Sequence, residues 1–512
     1  MKNKSVINSF SIARKESIFL FLLFTGISGF SQSTDFNQRF SIQNRSTIFR
    51  NINVEKDSLI ITGEIGSDSS GLQGVFILWS DTLGNLGKVK IFEDPELVDQ
   101  MLLDGSSPII NDTDKLVLSG DFLWKSDNYL LQYNKKTQAY FYKEYTAPYI
   151  VRFTESLLEF NGAYYAIGYV QTQNFDLDAF VQKIDSSGNK IWEKTYGVPS
   201  RDETGRAAVV INGKLAIMIS ESYDNTPTVK NDTRYWIRFI QIDTSGTIKS
   251  DWKEEVTNQE GWSGSLVNYK GDYIYTTNFL GEEYGFGYFK AGQVVRRDKN
   301  FNLIWRKPFG DPDNYYNGLT DLVIAPDSNL LLTGQILDES KKYVLERTLK
   351  ICPDGEVMWE LRDTGFVQPT GESLNFMEGI AAPSCSSIYS VGYTYKDSGL
   401  YEGLILKVSG DGCIDTLCTI VDIENLIKAN HKKMVVYPNP SSSNVEVYFP
   451  DIVMNDGEIK LYDLLGIRKQ YIHISSSKSV LDISFLPKGV YWIVAESNGK
   501  LIGAQKLLKI EP

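Results

Sequence analysis

A short hairpin recurs along this chain. Lys183 to Gly197, KIDSSGNKIWEKTYG, reads as a strand, a tight polar turn and a second strand. Lys350 to Leu361 (KICPDGEVMWEL) keeps the spacing, and so does Arg297 to Gly310 (RDKNFNLIWRKPFG), where Phe301 stands in the glycine's place. Weaker copies lie at Gln241 to Gly246 and Lys407 to Gly412. A hairpin cannot bury its apolar face alone, so one repeated roughly every 50 residues requires neighbouring units that share a core.

Each hairpin follows a strand that ends in a small or polar residue, at 59–63, 116–120, 164–168, 215–220, 273–278, 330–334 and 388–392. A further apolar run before each makes four strands per unit. The 29 tyrosines, 26 phenylalanines and 41 glycines favour strands and turns over helices. The expected fold is all-β, a seven-bladed β-propeller over residues 33–418, because radial closure leaves only short, protected edges. A solenoid is the structural rival. Phe36 to Ile42 is expected to be the outer strand of the last unit, which runs out of sequence near Cys418. Trp192, Trp305 and Trp359 recur at one phase, which points to packing between units and not to a ligand.

The first 32 residues have the pattern of a secretory signal, with Lys2, Lys4, Arg14 and Lys15 before the short apolar run Ile18 to Phe24. That run is too short to span a bilayer, and no later stretch reads as a membrane anchor. Cys352, Cys385, Cys413 and Cys418 would then meet an oxidising compartment, where four thiols allow three pairings. A net charge of −12 with no dense Lys/Arg cluster argues against nucleic acid.

Two resemblances extend this reading. The unit ending at Gly197 resembles a repeat of secreted bacterial propellers that runs Lys-Ile-Asp-x-x-Gly-Asn-x-x-Trp-x-Lys-x-Tyr-Gly. After a polar linker at 419–433, residues 434–512 resemble the type A C-terminal sorting domain of the type IX secretion system of Bacteroidetes. The matching positions are Tyr437-Pro438-Asn439-Pro440, then Tyr462, Asp463 and Gly466 of a hairpin, then Leu486, Gly489 and Tyr491 of a Leu-Pro-x-Gly-Val-Tyr strand. The resemblance implies recognition by the type IX machinery and export through the periplasm to the outer surface or the medium. Alternating apolar residues and Pro/Gly turns make the tail a small β-sandwich.

The only histidines are His431 and His473, so the body lacks the base of Ser-His-Asp or Cys-His catalysis and any histidine metal ligand. No catalytic, cofactor or metal site is expected. Carboxylates remain, as in glycoside hydrolysis. Glu155, Asp321 and Glu378 recur near the start of an inner strand, where they are expected to bond a neighbouring unit. Glu203, Glu260, Asp311, Asp313 and Glu372 are expected in solvated loops. Acidic loops at 174–178 and 311–314 lack the spacing of a calcium hand. The loops on one rim are rich in aromatics, Phe175 among them, and flat rings beside Asp, Asn and Gln suit sugars or peptide side chains. The expected ligand site is a groove centred on Trp262, Tyr284, Tyr315 and Tyr316, with Glu260, Asp311 and Asp313 at its edge. The chain thus reads as a surface or extracellular binding module for a glycan or protein, the alternative being a carboxylate-dependent glycosidase or lyase.

Overall fold

The computed structural model describes residues 36–55, 58–66, 73–93, 101–103, 109–110, 114–122, 127–146, 148–224, 233–256, 261–280, 289–309, 318–337, 343–363, 373–395, 400–410, 412, 434–450, 457–463, 468–497 and 500–511. Regular structure among them is entirely β-strand. The signal-like segment, the linker 419–433, Cys413, Cys418 and His431 lie outside the described residues; Cys352 and Cys385 are free thiols.

Up to Ser409 the strands follow one another as antiparallel units. Unit one is β2 (Thr47–Glu55), β3 (Ser58–Ile65), β4 (Gly74–Asp81) and β5 (Leu86–Phe92). In unit two, β6 (Met101–Leu103) and β7 (Ile109–Ile110) both pair β8 (Lys115–Phe122), followed by β9 (Asn128–Asn134) and β10 (Tyr140–Tyr145). Unit three is β11 (Val151–Phe160), β12 (Ala163–Gln171), β13 (Leu177–Asp185) and β14 (Lys190–Tyr196). Unit four is β15 (Asp202–Ile211), β16 (Lys214–Asp224), β17 (Thr233–Ile242) and β18 (Ile248–Val256). Unit five is β19 (Gly261–Tyr269), β20 (Asp272–Leu280), β21 (Phe289–Arg297) and β22 (Leu303–Phe309). Unit six is β23 (Gly318–Ile324), β24 (Leu330–Leu337), β25 (Tyr343–Ile351) and β26 (Val357–Asp363). Unit seven is β27 (Ser373–Ser384), β28 (Ser387–Tyr395) and β29 (Tyr401–Ser409), and a short parallel pairing of β25 with β27 joins it to unit six. Its fourth strand is the first of the chain. β1 (Phe36–Phe40) runs antiparallel to β29, from Phe36 opposite Lys407 to Phe40 opposite Gly403.

Apolar clusters bridge each unit to the next. Ile60 and Ile77 pack with Leu116 and Leu131 of unit two, Ile167 with Ile217 of unit four, and Leu331 of unit six with Leu404. Phe49, Ile61 and Phe76 of unit one pack with Tyr389, Val391 and Ile405 of unit seven, so the succession of interfaces returns to its start.

The recurring hairpin owes its sequence to its turn. Asp81, Asp185, Asp243 and Asp298 each accept backbone N–H bonds from residues two and four positions on, the local bonding that makes Asp a turn former. Gly84, Gly188 and Gly246 then take positive φ. Phe301 adopts the same conformation at φ 64, at a cost of about 1–2 kcal/mol for a side chain. Its ring is buried and stacks on Tyr273 (4.5 Å) and Trp252 (5.4 Å); burial of a Phe is worth about 1.5–3 kcal/mol and offsets the strain.

The turn also joins units. Trp192 Nε1 donates to Thr244 O of unit four, Trp305 Nε1 to Pro353 O of unit six, and Trp359 Nε1 to Gly410 O of unit seven, at 2.9–3.2 Å. Tyr145 and Tyr196 donate to Gly188 O and Gly246 O, and Tyr389 of unit seven to Thr82 O of unit one. The tryptophans sit between units, as their phase suggests.

A second regularity escaped the sequence. The first strand of units one and three to seven carries a bulge, at Arg50, Glu155, Arg206, Gly264 with Ser265, Thr320 and Glu378. The bulged residues bond across units: Arg206 to Glu155 (2.7 Å), Arg50 to Glu378 (3.5 Å), Ser265 Oγ to Asp321 (2.7 Å) and Thr320 Oγ1 to Met377 O (2.6 Å). Glu155, Asp321 and Glu378 therefore bond neighbouring units, but all three lie mid-strand and not at strand starts, Glu155 and Glu378 at the bulges themselves. Burial holds all three above the usual carboxylate range.

The bulge explains the glycine of the next strand, which runs two or three residues past it instead of ending there. Gly63, Gly168, Gly334 and Gly392 face the residue before the bulge, and a Cβ on any of them would lie 1.9–2.1 Å from a first-strand carbonyl oxygen. Backbone, unlike a side chain, cannot swing aside. Gly168→Ala should cost about 3 kcal/mol, read as a lower urea midpoint at unchanged slope; a midpoint within error of the parent would refute the close approach.

Beyond Met434 lie two further sheets. One has the order β30 (Val435–Tyr437), β31 (Asn444–Tyr448), β34 (Lys478–Asp482); the other β33 (Arg468–Ile474), β32 (Gly457–Asp463), β35 (Gly489–Ser497), β36 (Lys500–Lys509). Val436, Val445, Val447 and Leu481 of the first share a core with Ile459, Leu461, Ile493 and Leu507 of the second.

Candidate functional site

The residues of the expected groove, Glu260, Tyr284, Asp311, Asp313, Tyr315 and Tyr316, lie outside the described residues, and of Trp262 only the backbone, in β19, is described. The rim of units three and four is described. It is built by the β12–β13 loop (172–176) and the linker 197–201. Ser200 N donates to Asp176 Oδ2 and Leu177 N to Asp202 Oδ1, so loop and linker hold each other. At the loop tip Phe175 takes φ 68 with 72% of its surface exposed. Phe301 shows how such strain is offset by burial; Phe175 has no such return.

Below this tip, Glu203 and Glu221 stand directly opposite each other on β15 and β16. The sequence places Glu203 in a solvated loop; it lies in a strand and is fully buried. The alternation of Glu203 with Gly205 and Ala207 carried no strong strand signal. Its Oε1 accepts from Val198 N at 3.1 Å, anchoring the linker. Glu221 is gripped by Arg201 and by Lys253 (3.2 Å), and both cations lie 5.3 Å from the ring of Trp236. Arg238 forms a two-point pair with Asp251. Burial, with Glu221 and Asp178 nearby, pushes the Glu203 carboxyl up to about 8. Buried Oε2 atoms of both glutamates lack a donor when both are ionised, and a proton on Glu203 supplies one. A raised carboxyl beside a second acid is a start for acid–base chemistry, yet neither carboxyl is open to a substrate. The rim presents aromatic surface beside fixed charges of both signs, a combination suited to stacking and directed hydrogen bonds.

The tail motif is mostly structural. Asn439 donates to Lys506 O (2.5 Å) and accepts from Leu508 N, tying the 438–440 bend, with Pro438 and Pro440, to β36. Tyr491 Oη donates to Pro487 O, Leu486 is buried, Gly489 opens β35, and Tyr462 pairs Trp492 across β32 and β35. The Asp463 side chain and Gly466 lie outside the described residues. Val435, Tyr437, Tyr448 and Val480 alternate with the buried set on the first sheet and are exposed, Tyr437 at 73%. His473 is exposed and faces Glu458. No helix among the described residues is long and apolar enough to cross a membrane.

Residues 435–510 match the secretion system C-terminal sorting domain family, that of the type IX system. No curated protein matches the chain. Among solved structures it is similar to the acylaminoacyl peptidase of Pyrococcus horikoshii, with 12% identity, 80% of this chain and 59% of that one covered, and a TM-score of 0.42; it thus spans 59% of that enzyme's length. It is also similar to the β-propeller domain of the Trilobed protease from Pyrococcus furiosus (11%, 73% and 99%, 0.41). A third likeness is to PorZ, a surface component of the type IX secretion system of Porphyromonas gingivalis (8%, 93% and 100%, 0.19).

Proposed function

We propose that this chain, whose type IX sorting tail implies export to the cell surface or extracellular space, is a seven-bladed propeller that binds a glycan or protein on one rim, with a C-terminal β-sandwich as its address. Support for the ring comes from interfaces that return from unit seven to unit one and from β1 completing the last blade. The apolar outer face of β30, β31 and β34 is the surface offered to the secretion machinery.

The observation that carries the binding role is Phe175, an aromatic ring held exposed in a strained conformation on a hydrogen-bonded rim. Trp262 in β19, Tyr284 between β20 and β21, and Tyr315 and Tyr316 between β22 and β23, edged by Glu260, Asp311 and Asp313, would extend this rim over blades four to six. A glycosidase or lyase is favoured only by the Glu203–Glu221 pair, whose burial counts against it.

Probing glycan and peptide arrays with the full secreted chain tests this. Phe175→Ala should weaken binding at least about tenfold, the loss of one anchoring aromatic, at unchanged Tm. Cleaved glycans would select the enzyme instead, and silence on every array would reject the binding role.

A further inference from the structure

Blade six breaks the symmetry of the repeat at one place. On the third strand of each unit, the residue opposite the end of the outer strand is Val75, Asn128, Ala179, Tyr235, Gly292, Glu346 and Gly403, in order. Only Glu346 carries a charge. Its neighbours in the same cross-strand row are Gln335 on β24 and Asp363 on β26, and residues directly opposite on adjacent strands project to one face. In unit three the same row is Tyr169, Ala179 and Tyr196.

This row meets β1. Asn37 Nδ2 donates to Glu346 Oε2 at 3.0 Å and to Asp363 Oδ2 at 2.8 Å, which uses both of its N–H groups. Glu346 is 0% and Gln335 6% exposed. Three buried oxygens remain without a donor: Glu346 Oε1, Gln335 Oε1 and Asn37 Oδ1. No Lys or Arg among the described residues pairs with Glu346 or Asp363, whereas Glu254, an acid further back on the outer strand of unit four, is met by Arg297 and Arg306. Buried acceptors are nearly always satisfied, and two neighbouring carboxylates without a cation repel.

We propose that Glu346, Asp363, Gln335 and Asn37 form a buried site for a hard divalent cation, calcium by preference, that staples the N-terminal strand to blade six. Both carboxylates, the Gln335 carbonyl and the Asn37 carbonyl offer oxygen only, and two negative charges balance one divalent ion. Calcium accepts six to eight oxygens in irregular geometry, while magnesium demands an octahedron and keeps its waters. Turning the Asn37 amide over exchanges its NH2 for its oxygen, so the residue that bridges the acids without the ion ligates it when bound.

The test is calorimetry of the full secreted chain after chelation, with calcium or magnesium returned at about 10 mM, above the range of weak extracellular sites. Calcium should raise Tm by about 5 °C and magnesium by less than half as much. Glu346→Gln and, as the milder change, Asp363→Asn should each abolish the calcium shift, and the exposed control Glu356→Gln should retain it. Absence of a shift in the parent, or a shift that survives in whichever of the two variants folds, overturns the site. A parent insensitive to calcium together with a Glu346→Gln variant of higher Tm identifies a shared proton in its place.

Discussion

Deleting residues 33–42 is expected to lower the melting temperature of the chain by about 10 °C or more, given a few degrees per kcal/mol for a domain of this size. The segment contributes the whole ladder of β1 on β29, Asn37 across Glu346 and Asp363, and the ion pair of Arg39 with Glu402. It also contributes Phe40, stacked on Phe49 of unit one, and the buried Ile42. Losing two apolar anchors and several hydrogen bonds amounts to about 5 kcal/mol. β29 would become an open edge able to pair with another chain, so aggregation should accompany the drop. A deleted protein that melts with its parent would show the strand to be dispensable.

Acidity should stabilise the fold through Glu203. Its carboxyl titrates near 8 in the folded chain against 4.5 ordinarily, so its folded pKa is raised. The favourable state is complete below about 4.5, where both folded and unfolded chains hold the proton. Stability falls as pH climbs from there to about 8 and is level above. At 1.36 kcal/mol per pH unit, the loss reaches up to about 5 kcal/mol. Glu203→Gln mimics the protonated acid: its amide can donate to Glu221 and accept from Val198 N. The variant should melt above its parent at pH 8.5 and together with it near pH 4.5. A constant gap between the two across that range would disprove the buried proton.

What could be read in the sequence was local. The hairpin motif is legible because Asp185, Gly188 and Trp192 meet their requirements within a few residues of one another or at the same phase of the next unit. β1 was legible by elimination, since unit seven lacked a fourth strand. The cross-unit roles of Glu155, Asp321 and Glu378 followed from their recurrence. Arg50 and Arg206 were missed because a bulge advances the register by one residue, which no alternation pattern announces. Glu203 and Glu346 were missed for a related reason: burial of a charge depends on strands remote in sequence, and Asn37 and Glu346 lie 309 positions apart. The one trace available was a charged residue at a phase otherwise filled by uncharged side chains.

The joints between units grip main-chain oxygen. Thr82, Thr244, Pro353 and Gly410 have nothing chemical in common, yet each offers its carbonyl to an aromatic donor of the preceding unit. Such a joint selects the shape of a turn and is blind to what the turn is made of. Copies of an ancestral hairpin can therefore drift far apart and still dock, provided the loop keeps its form. A chimera that exchanges turn 243–247 for turn 185–189, which keeps the glycine and offers its carbonyls at the same two places, would inherit its neighbours' grip without any compensating change on their side.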